Sequence, residues 1–202
     1  MPDVALVQGA SRGLGLAFVK RLIGQFPSSK IIATCRDPNS ALALQELVEL
    51  HPQRVTLLRL DVTDGDSLEA VAEAVSVSAQ PIDLLINCAG ILHSPEGLRP
   101  EKRLQDVCLS NLEQYFRVNT IGPLMVAKHL VPLMTRRGRA IIANLSARVG
   151  SISDNRLGGW YGYRASKSAQ NMMTKTLSIE LKRTHPEMIC VGLHPGTVAT
   201  EL

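Results

Sequence analysis

Aromatic residues are scarce in this chain of 202 residues: one Trp, three Tyr and three Phe, 3% of the whole. A core with so few rings must be built from Leu, Val, Ile and Ala. Hydrophobic residues at 45% against 20% charged provide for that and exclude a disordered chain. Cysteine is limited to Cys35, Cys88, Cys108 and Cys190, far apart and without CxxC spacing. That excludes a zinc knuckle, gives no disulfide framework, and fits small buried thiols in a reducing compartment. No metal site is expected. No run of ~18 apolar residues occurs, and the first apolar segment, Val4–Val7, lacks the charged lead-in and the length of a signal peptide. A cytoplasmic location and no membrane partner are therefore expected. The charge imbalance is small, +4 with a pI of about 9.0, and only Arg136, Arg137 and Arg139 cluster. A basic stripe interleaved with aromatics is missing, so nucleic acid is not an expected partner.

What is present is an alternation. Short, almost wholly apolar runs at Val4–Val7, Ile31–Thr34, Val55–Leu60, Ile82–Asn87, Ala140–Leu145 and Met188–Leu193 read as strands buried on both faces. Between them, apolar residues three and four apart mark helices at Leu14–Phe26, Ala41–Leu50, Leu68–Ser78, Leu112–Met134 and Tyr161–Arg183. Pro27, Pro52 and Pro81 sit in the gaps, where a helix must already have ended. Asp66-Ser67 reads as the start of the third helix. Six strands alternating with five helices predict an α/β fold, a single doubly wound (Rossmann) parallel sheet with helices on both faces. With no repeat, linker or low-complexity tract, residues 1–202 are expected to form one nucleotide-binding domain that carries the catalytic site.

The first strand runs into Gly9-Ala10-Ser11-Arg12-Gly13-Leu14-Gly15, which opens the first helix. A strand, a glycine turn and a helix N-terminus together make a pyrophosphate site. The missing side chains let the backbone approach the phosphates, and unpaired N–H groups face them. About 20 residues on, the second strand should end beside the adenosine ribose. An acidic residue there selects NAD, whereas this strand ends in Arg36, 21 residues after Gly15. A guanidinium suits a 2′-phosphate, and Arg12 supplies a second cation, so NADP is favoured over NAD. Asp37 complicates this, since it can bind a ribose or pair with a cation. The third and fourth strands end at Asp61, placed to hydrogen-bond an adenine amino group, and at Ala89-Gly90, a small-residue surface on which a cofactor can lie flat.

The strongest local signal is Tyr163-Arg164-Ala165-Ser166-Lys167, which puts a phenol and an ammonium on one helical face. A phenol with pKa ~10 exchanges protons poorly near neutrality. A unit charge ~4 Å away at an effective dielectric of ~20 is worth roughly 4 kcal/mol, or roughly three pKa units. On that arithmetic Lys167 brings Tyr163 into the range of a general acid/base. Tyr161 lies six residues before Lys167 and faces elsewhere. Ser146, closing the fifth strand, is placed to polarise a substrate carbonyl. Asn119, mid-helix and unfavourable there, is read as holding a water against Lys167. The segment Gly150–Gly159 is expected to line the substrate pocket.

In this order the pieces resemble the classical short-chain dehydrogenase/reductase family: Gly9-x-x-x-Gly13-x-Gly15, Asn87-Cys88-Ala89-Gly90, Asn119, Ser146, Tyr163-x-x-x-Lys167 and Pro195-Gly196. The resemblance implies hydride transfer between NADP and a carbonyl or alcohol carbon, with Asn119, Ser146, Tyr163 and Lys167 as the catalytic tetrad. Tyr163 is then the acid/base, Ser146 the carbonyl orienter, Asn119 the anchor of a proton-relay water and Lys167 the holder of the nicotinamide ribose. It also implies cofactor contacts from the glycine turn, Asp61, Val62, Asn87, Ala89, Gly90, Pro195, Gly196 and Val198, with Thr200 reaching the carboxamide or a phosphate. Asn144-Leu145-Ser146, Gly158-Gly159-Trp160-Tyr161 and His194-Pro195-Gly196 look most like the sniffer-type carbonyl reductases and C-factor proteins. The C-factor likeness leaves a cofactor-bound signalling or redox-sensing protein as the alternative function. A nucleotide-sugar epimerase is disfavoured by the glycine spacing and the short chain. Departures are Gln8, where the family has Thr, Cys88, where it has Asn, and a chain that stops at Leu202 before the usual seventh strand. That leaves either a fragment or short form, or an edge covered by a partner. The implied partners are a small carbonyl or alcohol substrate and a second copy, paired through the two long helices.

Overall fold

The first strand decides the architecture. In the computed structural model, which describes residues 2–78, 80–95 and 97–196, β1 (Val4–Gln8) is buried at all five positions. Its residues alternate between two cores. Val4 and Leu6 pack in one, with Leu68, Val71, Val126 and Leu130. Ala5 and Val7 pack in the other, with Val19, Leu22 and Leu44. A strand roofed on both faces has no polar side to show, which is why its sequence reads as an unbroken apolar run.

Around β1 the sheet is parallel throughout, in the order β3-β2-β1-β4-β5-β6. The other strands are β2 (Lys30–Cys35), β3 (Val55–Arg59), β4 (Leu84–Asn87), β5 (Ile141–Leu145) and β6 (Ile189–Leu193). Chain order runs outward to β2 and β3, then jumps back past β1 to β4. That reversal leaves a crevice at the carboxyl ends of β1 and β4. The expected six-stranded doubly wound sheet is present, and β6 is its edge among the described residues, with Ile189 and Leu193 part-exposed.

Helices α1 (Gly13–Gln25) and α2 (Leu42–Leu50) cover one face. The other is covered by α3 (Gly65–Ser76), α5 (Gly122–Leu130) and the C-terminal half of α6 (Tyr161–Glu180). No helix among the described residues is long and apolar enough to cross a membrane.

Two boundaries differ from the sequence expectation. The start of α3 is capped by Asp64, whose carboxylate accepts from the Asp66 and Ser67 amides, so the helix begins before Asp66-Ser67. The single long helix expected over Leu112–Met134 begins earlier, as α4 (Leu109–Phe116), and widens into a π turn over Arg117–Ile121 before α5. The physical reason is Pro123. It has no N–H, so the carbonyl four residues back, that of Asn119, loses its α-helical donor. The Gly122 amide bonds instead to the Arg117 carbonyl, five residues back. A 3-10 turn over Val131–Leu133 then ends the segment.

The glycine turn allows a direct check of this packing. A Cβ on Gly15 would stand 2.1 Å from the Gly9 carbonyl oxygen, whereas one on Gly24 meets nothing within 4 Å. Gly15→Ala is expected to destabilise by about 1–3 kcal/mol, and Gly24→Ala to stabilise by about 0.4–1 kcal/mol. Thermal unfolding of the two variants reads the difference. Equal melting temperatures would refute the close contact.

Candidate active site

The crevice at the β1/β4 reversal is a cleft of about 1100 Å³. At one end is the glycine turn. Gly9 takes φ +78° and Gly13 φ +54°, conformations that disfavour a side chain. The Gly9 and Ala10 amides donate to the Thr34 carbonyl, which pins the turn to the end of β2. On the other side, a Cβ on Gly9 would lie 2.7 Å from the Ala89 nitrogen, so the turn also sits directly against the end of β4. Gln8, at the position where the resemblance calls for Thr, ties the same junction: its Oε1 accepts from the Ala89 amide at 3.1 Å. Helix α1 then starts without a side-chain cap hydrogen bond and without an acidic residue in its first turn. Its N-terminal amides therefore face the cleft bordered by Ser11, Arg12, Gly13 and Leu14.

Arg36 and Asp61 line the same end. Burial pushes the Asp61 carboxyl up. Hydrogen bonds from the Thr63 amide and hydroxyl, with Arg36 and Arg59 nearby, outweigh that and hold it below its ordinary value. Asp37 turns away from this work: its carboxylate accepts from the Asn39 amide and caps the short turn Pro38–Ser40. Val62 lines the cleft too.

At the other end stand Ser146, Tyr163, Lys167, Pro195 and Gly196, with Ala89 and Gly90 forming the floor between. A Cβ on Gly90 would approach Asn119 Oδ1 to 3.3 Å and Lys167 Nζ to 3.5 Å, filling the space above that floor. Tyr163 is 6% exposed, with Tyr115 and Trp160 edge-on at 6.1 and 6.2 Å between centroids. Lys167 is buried, its Nζ 6.0 Å from the Tyr163 ring centroid and bonded to the Leu145 carbonyl at 2.7 Å. Burial pushes the Tyr163 phenol above its ordinary value and pulls Lys167 down to about 8. The expectation that Lys167 brings Tyr163 toward neutrality is thus corrected for the protein alone. Desolvation sets both shifts, and the ammonium spends its donors on oxygens other than the phenol.

Other expectations also change. The Asn87 side chain is buried within the sheet, donating to Asn144 Oδ1 at 2.7 Å, and does not line the cleft. Asn119 is fully buried beside it. Its Oδ1 accepts from the Ile91 amide, and its Nδ2 donates to the Ile91 carbonyl and Ser166 Oγ. The side-chain amide is thus occupied, and Pro123 removes the α-helical donor of the backbone carbonyl. The segment Gly150–Gly159 does not line the cleft; Ala147, Arg148, Val149 and Trp160 do. The Arg148–Asp154 ion pair folds that segment onto itself, and Gly150 packs against Lys167 so closely that a Cβ would lie 2.9 Å from it. Val198 and Thr200 lie outside the described residues.

Three functional neighbours escaped the sequence. Asn171 accepts a hydrogen bond from Ser146 Oγ at 2.6 Å. Its spacing, four residues past Lys167, was the available signal. Glu101, 2% exposed, anchors the start of α6: its carbonyl accepts from the Trp160 amide and its Oε2 from Gly162. Nothing in its local pattern announces this. Tyr115 is buried and donates to the Leu92 carbonyl at 2.7 Å, walling off Tyr163. Burial pushes the Cys88 thiol up to about 12, which disfavours its thiolate.

Residues 3–202 match the short chain dehydrogenase family. An uncharacterized oxidoreductase of Schizosaccharomyces pombe is 32% identical over 201 residues, 98% of this chain and 75% of the relative. The carbonyl reductase Sniffer of D. melanogaster superposes with a TM-score of 0.89 at 33% identity, covering 100% of this chain and 83% of that one. The NADPH-bound carbonyl reductase from chicken fatty liver gives 0.86 at 32% identity, covering 98% and 80%. Matched along nearly its whole length, the chain belongs to the short chain dehydrogenase family of oxidoreductases, with a fold like that of the sniffer-type carbonyl reductases.

Proposed function

We propose that this protein is an NADP(H)-dependent carbonyl reductase, acting on a small carbonyl compound with Tyr163 as the proton donor. The carrying observation is one cleft with a phosphate-binding turn at one end and a buried phenol beside a buried ammonium at the other. The cleft is roomy enough for a dinucleotide, the α1 N-terminus suits its pyrophosphate, and Arg12 and Arg36 suit a 2′-phosphate. Asp37 accepts from the Asn39 amide of its own turn and does not line the cleft. The chicken carbonyl reductase, similar to this chain in fold and sequence, binds NADPH, which supports the same choice here. The nicotinamide, when bound, supplies the hydride that reduces the carbonyl carbon.

The chain's own residues do the rest. As the carbonyl carbon gains the hydride, its oxygen gains a pair of electrons and takes the Tyr163 proton. A phenol held above its ordinary pKa by burial stays protonated at neutral pH, so it has a proton to give. Lys167, cationic below about 8, stabilises the phenolate left behind. The Asn119 carbonyl anchors the relay that returns the proton. Ser146 has one hydroxyl proton, committed to Asn171; orienting a substrate carbonyl requires it to rotate toward Tyr163. The four free thiols fit a cytoplasmic setting. Exposed Ile121, Met172 and Ile179 offer an apolar surface for pairing two copies through the long helices, a pairing that a monomeric mass in sedimentation would remove.

Cofactor preference is read by fluorescence titration. NADPH should bind more tightly than NADH, and Arg36→Ala should weaken NADPH roughly tenfold or more while leaving NADH unchanged. Equal affinities in the parent chain would sink the choice of NADP. Tyr163→Phe should lower kcat for ketone reduction by about 100-fold or more, with NADPH affinity kept within a few fold. A variant with full turnover would remove Tyr163 from the mechanism. The sign of the pH dependence follows from Lys167: its ammonium is present below about 8 and lost above. Reduction should therefore fall as pH rises through 8, and a rate that climbs steadily above 8 would contradict the role given to the lysine.

A further inference from the structure

Behind Lys167 lies a buried amide that the proposed chemistry leaves unused. Gln170, one turn further along α6, is 2% exposed, and its Oε1 accepts a hydrogen bond from Lys167 Nζ at 3.1 Å. The other acceptor of that nitrogen is the Leu145 carbonyl at the end of β5. An ammonium has donors only, so the amide must turn its oxygen to Lys167 and its nitrogen away. In that orientation Nε2 finds no hydrogen-bond partner among the described residues. A buried unpaired N–H is costly, and the contact that holds the amide this way round is the lysine. The helix around Gln170 is itself pinned. Thr174 Oγ1 donates to the Gln170 carbonyl and accepts from Asn144 Nδ2, and Asn144 Oδ1 accepts from Asn87 on β4.

We propose that Gln170 is a positioning residue for Lys167, supplying the second of the two oxygens that hold its side chain in place and favour its charged form. The proposal rests on the assignment of Tyr163 and Lys167 as the acid/base pair. Burial pulls Lys167 down to about 8, and each oxygen opposes that pull. The titratable groups lining the cleft are Tyr163 on α6, Glu113 on α4, Arg117 in the π turn, Cys88 after β4, Arg148 after β5 and His194 after β6, with Arg12, Cys35, Arg36 and Asp61 toward the glycine turn. Tyr115 and Glu101 stand behind Tyr163. The lysine's downward shift comes from burial, and the hydrogen bonds its Nζ makes to offset that burial go to the Leu145 and Gln170 oxygens.

The test reads the lysine directly, by 13C NMR of the lysine Cε signals in the full chain, with the Lys167 signal assigned through its loss in Lys167→Met. Gln170→Leu removes the oxygen and should move the titration midpoint down by about one pH unit. Gln170→Glu puts a carboxylate in the same place and should move it up by about one unit or more. A purely structural role would lower the melting temperature of both variants without shifting the two midpoints in opposite directions. Midpoints that stay at the parent value in both variants overturn the proposal. NADPH consumption with a ketone, followed against pH in the same variants, separates this from the acid/base assignment. If the midpoints move apart and the alkaline limb of turnover does not follow, Gln170 keeps its role and Lys167 loses its own.

Discussion

A single close approach governs the site: Gly9 lies against Ala89, where the ends of β1 and β4 meet. The reversal of strand order opens the sheet there, and a residue with a side chain at position 9 would push the two strand ends apart. The Gln8–Ala89 hydrogen bond would go first. The floor formed by Ala89 and Gly90 would follow, and with it the spacing to Asn119 and Lys167, which already stand at van der Waals distance from the space above Gly90. The glycine turn is thus a hinge pin for both ends of the cleft. It leaves backbone amides facing the cleft, and it sets how far α6 stands from the floor formed by Ala89 and Gly90.

Desolvation then decides the protonation states. Tyr163 and Lys167 are both drawn toward their neutral forms, the phenol upward and the amine downward. The lysine, pulled down to about 8 by burial, directs hydrogen bonds to the Leu145 and Gln170 oxygens. A catalytic pair read from sequence as one interaction is, in space, a balance between burial and the oxygens that offset it.

Much of this is legible in the sequence. Unbroken apolar runs and period-3.6 patterns locate all six strands and the helices between them, because a doubly covered parallel sheet forces apolar runs onto its inner strands, although β3 and β6 at its edges are not buried on both faces as expected. The glycine turn, Arg36, Asp61, Ser146, Tyr163 and Lys167 all meet the cleft, since strand ends and one helical face fix their direction. Three of the failures concern which way an amide or a loop turns. Asn87 and Asn119 stand close to the cleft, yet their side chains serve the backbone and the sheet. The segment 150–159, expected at the pocket, instead folds back through the Arg148–Asp154 pair. The π turn is written in Asn119-Thr120-Ile121-Gly122-Pro123, but the helical periodicity around it masks the missing N–H.

Glu101 shows why the start of α6 needs support from outside its own sequence. Gly158, Gly159 and Trp160 all take left-handed backbone conformations, Trp160 with φ 55° and ψ 43°. For a residue with a Cβ that costs about 1–2 kcal/mol, and Trp160 has no side-chain cap bond to repay it. The compensation comes across the cleft wall, where Glu101 takes the amides of Trp160 and Gly162. Gly162 must itself lack a side chain, because a Cβ would sit 2.5 Å from the Tyr115 ring. Strain, buried carboxylate and aromatic wall therefore converge within the three residues before Tyr163. They fix the direction in which the phenol leaves the helix, and a flexible helix start could not hold a proton donor in register with a floor set by Gly9 and Ala89 on other strands of the sheet.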